Sequence, residues 1–235
     1  MSMIPDSPPD RLATLVESLK GLSGAEGPAA LPPLAVLPQM ALARGRLHEV
    51  AGPARRVLAA LAAGVAVAEG PVVWLRPAWR SEGLNPLGLV GLMADPGALV
   101  QVACPKAEDV LWGMEEALRA GCAALVVGEL AEAPDLRQVR RLHLAAAEGV
   151  SRNRLAGRSR PAPLGLVLDT ESAESRVPGV ETRWALHPLP PAQGEEGRRW
   201  RLDRLLARSL PPRDWVMTGL RRPESAEVQP KRLLM

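Results

Sequence analysis

The chain has 235 residues, of which 47% are apolar and 23% charged, with a net charge of +3; that is enough for one sizeable packed domain and excludes disorder throughout. Its two cysteines, Cys104 and Cys122, match neither a CxxC zinc pattern nor a disulfide framework. The longest apolar stretch, Val57 to Ala68, falls well short of the ~20 residues that span a bilayer. Met1 to Asp10 carries prolines and acids where a leader would carry a basic start and an apolar run, so a cytoplasmic location with no membrane partner is expected.

Taken in chain order, Asp10 to Leu19 places Leu12, Leu15, Val16 and Leu19 at helical spacing after a Pro-Asp start. Gly21 to Pro38 is rich in Gly, Pro and Ala and reads as a linker, so residues 1–39 are expected to be an N-terminal helix and a Pro/Gly-rich linker. A domain over residues 40–220 follows. Its pattern predicts a strand at Arg46–Ala51, a helix at Ala54–Ala68 and strands at Pro71–Arg76 and Leu99–Ala103. A helix at Ala107–Ala120, a strand at Cys122–Val127, a helix at Asp135–Glu148 and a strand at Leu164–Asp169 come next. Strands that alternate with helices and are apolar on both faces imply an α/β fold with a mostly parallel sheet between helices. Val180–Leu189, Trp200–Ala207 and Asp214–Leu220 leave no room for helices and predict an antiparallel C-terminal extension at one sheet edge. Residues 221–235 are polar and Pro-containing and read as a flexible tail.

Phe and Tyr are absent, Ile4 is the one isoleucine, and Lys20, Lys106 and Lys231 are the lysines. A GC-rich genome explains this skew, which leaves Trp, Leu and Val to fill the core. Charge is uneven along the chain: residues 151–235 hold 16 basic and 10 acidic side chains, so a polyanion would meet the last third.

Leu42-Ala-Arg-Gly-Arg-Leu-His-Glu-Val-Ala-Gly-Pro53 resembles the strand that enters the phosphate loop of RecA-type proteins. Further blocks follow at Val110-Leu-Trp-Gly-Met-Glu-Glu-Ala-Leu118, Ala124-Leu-Val-Val-Gly-Glu-Leu130 and Arg140-Arg-Leu-His-Leu-Ala-Ala-Ala-Glu148. Glu181-Thr-Arg-Trp184 and then Arg199-Trp-Arg-Leu202 complete the series. In this order, over residues 40–220, they resemble the ImuA family, RecA-like accessory proteins of a bacterial damage-induced mutagenesis cassette. The resemblance implies a RecA-like fold and a role in error-prone translesion DNA synthesis. The partners it implies are an ImuB-like Y-family protein without polymerase activity and an error-prone C-family DNA polymerase. An N-terminal element gripping RecA or the ImuB-like protein is a further expectation.

A working phosphate loop needs G-x-x-x-x-G-K-[ST]: backbone amides hold the phosphates, the Lys reaches the outer ones and the hydroxyl holds magnesium. Counted from Gly52, the last three motif positions fall on Val57, Leu58 and Ala59, all apolar. Gly52, Pro53, Arg55 and Arg56 therefore mark a degenerate nucleotide loop, with Arg55 and Arg56 either meeting an anion or lying solvated at a helix start. Gly128 stands where a magnesium-orienting Asp is expected, and Glu129, one place on, either takes that role through a one-residue slip or reads, as the preferred alternative, as a strand-end carboxylate facing solvent. Arg76, Pro77 and Ala78 occupy the stretch of the catalytic acid, with Glu82 the nearest carboxylate. Neither catalysis nor a cofactor is expected.

His48, His143 and His187 fall on different elements with no i, i+4 pair, so no metal site is expected. Asp109, Glu115 and Glu116 read as the solvated face of one helix. Ser151 to Arg160 gathers Arg152, Arg154, Arg158 and Arg160 in one loop; these either hold the phosphates of single-stranded DNA without reading sequence or are solvated arginines of an arginine-rich composition. Two other functions fit a degenerate RecA-like chain: a SulA-like cell-division inhibitor that binds a cytoskeletal GTPase, and a RecA-like ATPase with a divergent site.

Overall fold

A strand that is apolar in unbroken succession must be covered on both faces, and that condition shapes the molecule. The computed structural model describes residues 31–93, 95–156, 162–168, 177–191, 197–208, 210–219 and 227–229. In order these form β1 (Leu34–Leu37), β2 (Met40–Leu42), β3 (Leu47–Ala51), α1 (Arg55–Ala66), β4 (Val72–Pro77), α2 (Pro86–Val90) and a 3-10 turn (Pro96–Ala98). Then come β5 (Leu99–Cys104), α3 (Ala107–Ala120), β6 (Leu125–Glu129), α4 (Leu136–Leu155), β7 (Leu164–Leu168), β8 (Thr182–Leu189), β9 (Arg199–Ala207), β10 (Arg213–Thr218) and β11 (Glu227–Gln229).

Nine strands make one sheet in the order β11-β10-β9-β8-β3-β7-β6-β4-β5, while β1 and β2 pair as a separate hairpin. The six strands from β8 to β5 run parallel. Beyond β8, each of β9, β10 and β11 is antiparallel to its neighbour. The mostly parallel α/β core and the antiparallel extension are thus both present. Among the described residues, no helix is long and apolar enough to cross a membrane.

The connection from β3 to β4 passes over β7 and β6, and its helix α1 covers one face with the β1–β2 hairpin beside it. Leu58, Leu61, Trp74, Leu125, Val127, Leu166 and Leu186 meet there in one core. The connections through α3 and α4 return the chain the other way across the sheet and cover the opposite face, where Leu47, Leu75, Met114, Leu118, Val126 and Val167 pack. Alanine does much of the packing under α1: Ala59, Ala60, Ala62, Ala63 and Ala66 are all buried, and their small side chains let the helix lie close to the sheet. On the other face α3 and α4 also approach closely. A Cβ on Gly149 would lie 2.1 Å from the Leu118 carbonyl oxygen.

Several expectations need correction. Leu34 to Pro38, read as linker, is strand β1 and the start of its turn, with Leu34, Val36 and Leu37 buried beneath α1. The sixth strand begins at Leu125, three residues later than expected. α4 runs on to Leu155, seven residues past its expected end, because Gly149 and Asn153 are packed against α3; the Asn153 amide donates to the Gly121 carbonyl at 2.8 Å. Arg152 and Arg154 therefore lie on a helix and not in a loop. Within the stretch read as a tail, Glu227–Gln229 pairs with β10. The expected helix at Asp10–Leu19, and Arg158 and Arg160, lie outside the described residues.

Candidate functional site

In an open α/β sheet, ligands sit beyond the carboxyl ends of strands where successive connections leave for opposite faces. Here that place lies where β3 turns into α1 and where β4 and β6 end. The sequence keeps the turn very short. Gly52, Pro53 and Ala54 separate strand from helix. Gly52 has φ +86°, and a Cβ there would stand 2.9 Å from the Leu186 carbonyl oxygen of β8. The amides around it are used internally: Ala54 N–H donates to the Leu186 carbonyl (3.1 Å) and Arg55 N–H to the Gly52 carbonyl (3.2 Å). Arg55 also reaches back with its guanidinium to the same Gly52 oxygen (3.4 Å). Leu58 and Ala59, at the Lys and hydroxyl positions of a phosphate loop, are fully buried in the core under α1.

The crevice itself is occupied by the protein's own charges. Arg56, in the first turn of α1, points its guanidinium at Glu129, the last residue of β6. Nε and Nη2 donate to Glu129 Oε2 at 3.1 and 2.7 Å. The other Glu129 oxygen accepts the indole N–H of Trp74, from β4, at 2.9 Å. Arg56 Nη1 also donates to Glu82 at 2.7 Å. Glu129 is 2% exposed. This corrects both sequence expectations at the site: Glu129 does not face solvent, and the anion that Arg56 meets is internal. Burial works against the charge on Arg56, but the hydrogen bonds and fields of Glu129 and Glu82 outweigh it and raise the guanidinium pKa above its usual range. Chemically the arrangement is saturated. Glu129 accepts three hydrogen bonds, and the guanidinium beside it opposes any second cation.

Trp74 is the site residue that the sequence reading missed. A Trp within a buried strand needs a partner for its N–H, and that requirement is the signal that could have pointed to it. Glu82 was noted only as the nearest carboxylate, and its contact with Arg56 is made from an exposed position.

The remaining candidates fall elsewhere. His48 is fully buried: its ring bonds Thr182 Oγ1 (2.8 Å) and the Ala43 carbonyl (3.0 Å), and burial lowers its pKa to about 4. His143 accepts the Leu47 N–H at 3.3 Å, and its pKa too is lowered by burial. His187 lies near the Gly52 turn and 3.4 Å from Asp203, which also accepts from Arg201. Among the described residues no three His, Cys, Asp or Glu side chains group as metal ligands do. Glu115, expected on a solvated face, is buried between Arg119 and Arg141. Arg152 pairs with Glu148 one turn back at 2.7 Å. Glu49, the acid inside β3, accepts from Arg183 of β8 at 2.6 Å and ties β3 to its parallel neighbour, the strand from which the antiparallel wing extends. No family model matches the chain, and no curated protein is significantly similar to it.

Proposed function

We propose that the chain is a RecA-like accessory protein without nucleotide chemistry, acting in damage-induced, error-prone translesion DNA synthesis. It works in the cytoplasm through protein partners: an ImuB-like Y-family protein, an error-prone C-family DNA polymerase, and RecA. The observation that carries the reading is the Arg56–Glu129–Trp74 cluster. A protein that bound and hydrolysed ATP would need this crevice open, with a hydroxyl and a free carboxylate for magnesium. Here an arginine closes it from within and the turn's amides are bonded to carbonyls. The ordered sequence blocks from Leu42 to Leu202 support the family, and the parallel sheet with an antiparallel wing is compatible with a RecA-type core.

The deciding experiment is co-purification of the full chain with an ImuB-like protein, run beside an ATP-turnover assay. The expected result is a stable complex and no hydrolysis above background. Turnover that Glu129→Gln abolishes would overturn the non-catalytic part. Absence of the complex, together with filamentous growth on overexpression and capture of a cytoskeletal GTPase, would replace mutagenesis by cell-division inhibition.

A further inference from the structure

Two apolar patches at opposite ends of the molecule have the makings of a lock and key. The first is the tip of the β9–β10 hairpin. Strand alternation should bury one of two consecutive leucines, yet Leu205 and Leu206 are 46% and 40% exposed. The reason is a bulge: the β8–β9 register shifts between Arg183 and Trp184, so that Leu206 faces Arg183 while Arg204 faces Trp184, with Leu205 unpaired between them. Leu210, 52% exposed, adds a third apolar side chain in the turn.

An arginine and two tryptophans brace the strands beside the tip. Trp184 and Trp215 stack with centroids 6.0 Å apart, and the Arg204 guanidinium lies over both rings at 5.8 and 5.3 Å. From there it donates twice to the Pro211 carbonyl, at 3.1 and 2.9 Å. The stacked arginine thus ties β9 to Pro211, just before β10. Arg208 and Arg213 flank the leucines and are exposed; Arg208 lies 3.3 Å from Glu181, which Arg46 also approaches, and Arg213 lies over the Trp215 ring, so the tip keeps a net positive charge.

The second patch is a groove of about 350 Å³ between the first turns of α3 and α4. Leu111, Trp112 and Leu142 supply its apolar lining, and Trp112 is 64% exposed. Glu108 and Asp109 stand at its rim. Two cations stand near: Lys106 lies 3.7 Å from Glu108 and Arg141 is drawn onto Glu115 at 2.5 Å, which leaves the Asp109 carboxylate as the rim charge that no cationic side chain among the described residues opposes.

We propose that these patches bind each other between two copies of this chain: the leucine tip of one enters the Trp112 groove of the next, with Arg208 and Arg213 facing Glu108 and Asp109. One copy cannot join its own two patches. The groove opens at the carboxyl ends of the parallel strands, where α3 and α4 begin. The tip lies at the amino ends, because β9 runs antiparallel to β8. Four strand spacings separate β9 from β6 in the sheet order, roughly 20 Å. A patch that fits a pocket elsewhere on the same molecule makes a heterologous contact, which propagates head to tail. The contact is small, so the association is weak and depends on concentration.

Two exposed-site variants test it. Leu206→Asp disables the tip and keeps the groove; Trp112→Ala disables the groove and keeps the tip. Sedimentation of the full chain from low to high micromolar concentration should show the mean mass rising to about twice that of the protomer or more. Each variant alone should stay monomeric with an unchanged circular dichroism spectrum. Mixed, they should form a heterodimer of one copy each that grows no further, because only one working tip and one working groove remain. A monomeric wild type at high micromolar concentration overturns the proposal. So do variants that associate like wild type, or a mixture that stays monomeric.

Discussion

Replacing Arg56 by Ala tests the closed crevice directly. The Glu129 side chain is 3% exposed and the Arg56 side chain 23%. Removing the guanidinium takes both donors from Glu129 Oε2 and leaves the carboxylate with the Trp74 N–H alone. Removing one partner of a buried ion pair costs about 3–5 kcal/mol, because a charge is left behind without compensation. Arg56 is partly exposed and water can enter where it stood, so the lower end, about 3 kcal/mol, is expected. Against a whole-domain stability of roughly 5–15 kcal/mol, that is a large loss. Glu82 is 71% exposed, so Glu82→Gln should cost no more than about 0.5 kcal/mol. The double substitution Arg56→Met with Glu129→Leu removes both charges together but leaves the buried Trp74 N–H without its acceptor, so it should lose about 1–3 kcal/mol, well below the sum of the two single losses. Urea midpoints for Arg56→Met alone, Glu129→Leu alone and the double, at constant m-value, give the coupling. A loss below about 0.5 kcal/mol for Arg56→Ala, or additive singles, would show that the pair does not hold the crevice shut.

Two further outcomes follow from other sites. His48 titrates near 6.5 when unfolded and about 4 when folded, chiefly through burial, so between those values the unfolded chain binds a proton that the folded chain refuses. Stability should therefore fall as pH drops through that window, by about 2 kcal/mol between roughly pH 7 and roughly pH 5; a flat urea-midpoint profile, or an equal slope in His48→Gln, would contradict this. Single-stranded DNA should bind weakly through Arg152, Arg154, Arg158 and Arg160, with a slope of log affinity against log salt no steeper than about −3. In a fluorescence-anisotropy salt titration, replacing all four by Gln should flatten that slope, and overlapping curves would remove these arginines from DNA binding.

How much of this the sequence discloses depends on how local each determinant is. β6 and β7 are legible because unbroken apolar runs such as Leu164-Gly-Leu-Val-Leu168 leave few alternatives. α3 is legible at both ends, since Pro105 and Lys106 precede it and Gly121, with φ +65°, stops it. The end of α4 is hidden because Gly149 looks like a terminator, while in the structure it is the point where α3 and α4 touch. β1 is hidden because prolines and alanines around it have a linker's composition, and burial beneath α1 is a tertiary effect.

The same division runs through the site. That Val57, Leu58 and Ala59, counted from Gly52, do not meet the phosphate-loop pattern is legible in the sequence alone. What fills its place is not local, because Arg56 and Glu129 are 73 positions apart and the indole that completes the cluster comes from a third element. Physical chemistry nevertheless demands a replacement. A carboxylate at the end of a buried strand has to be neutralised, paired or removed. Leu58 and Ala59 are apolar and buried, and the cation that pairs Glu129 is Arg56. Arg56 lies two residues ahead of the Lys position, on the same turn of the same helix. Its side chain reaches the buried Glu129 carboxylate, so one arginine both pairs that charge and fills the crevice.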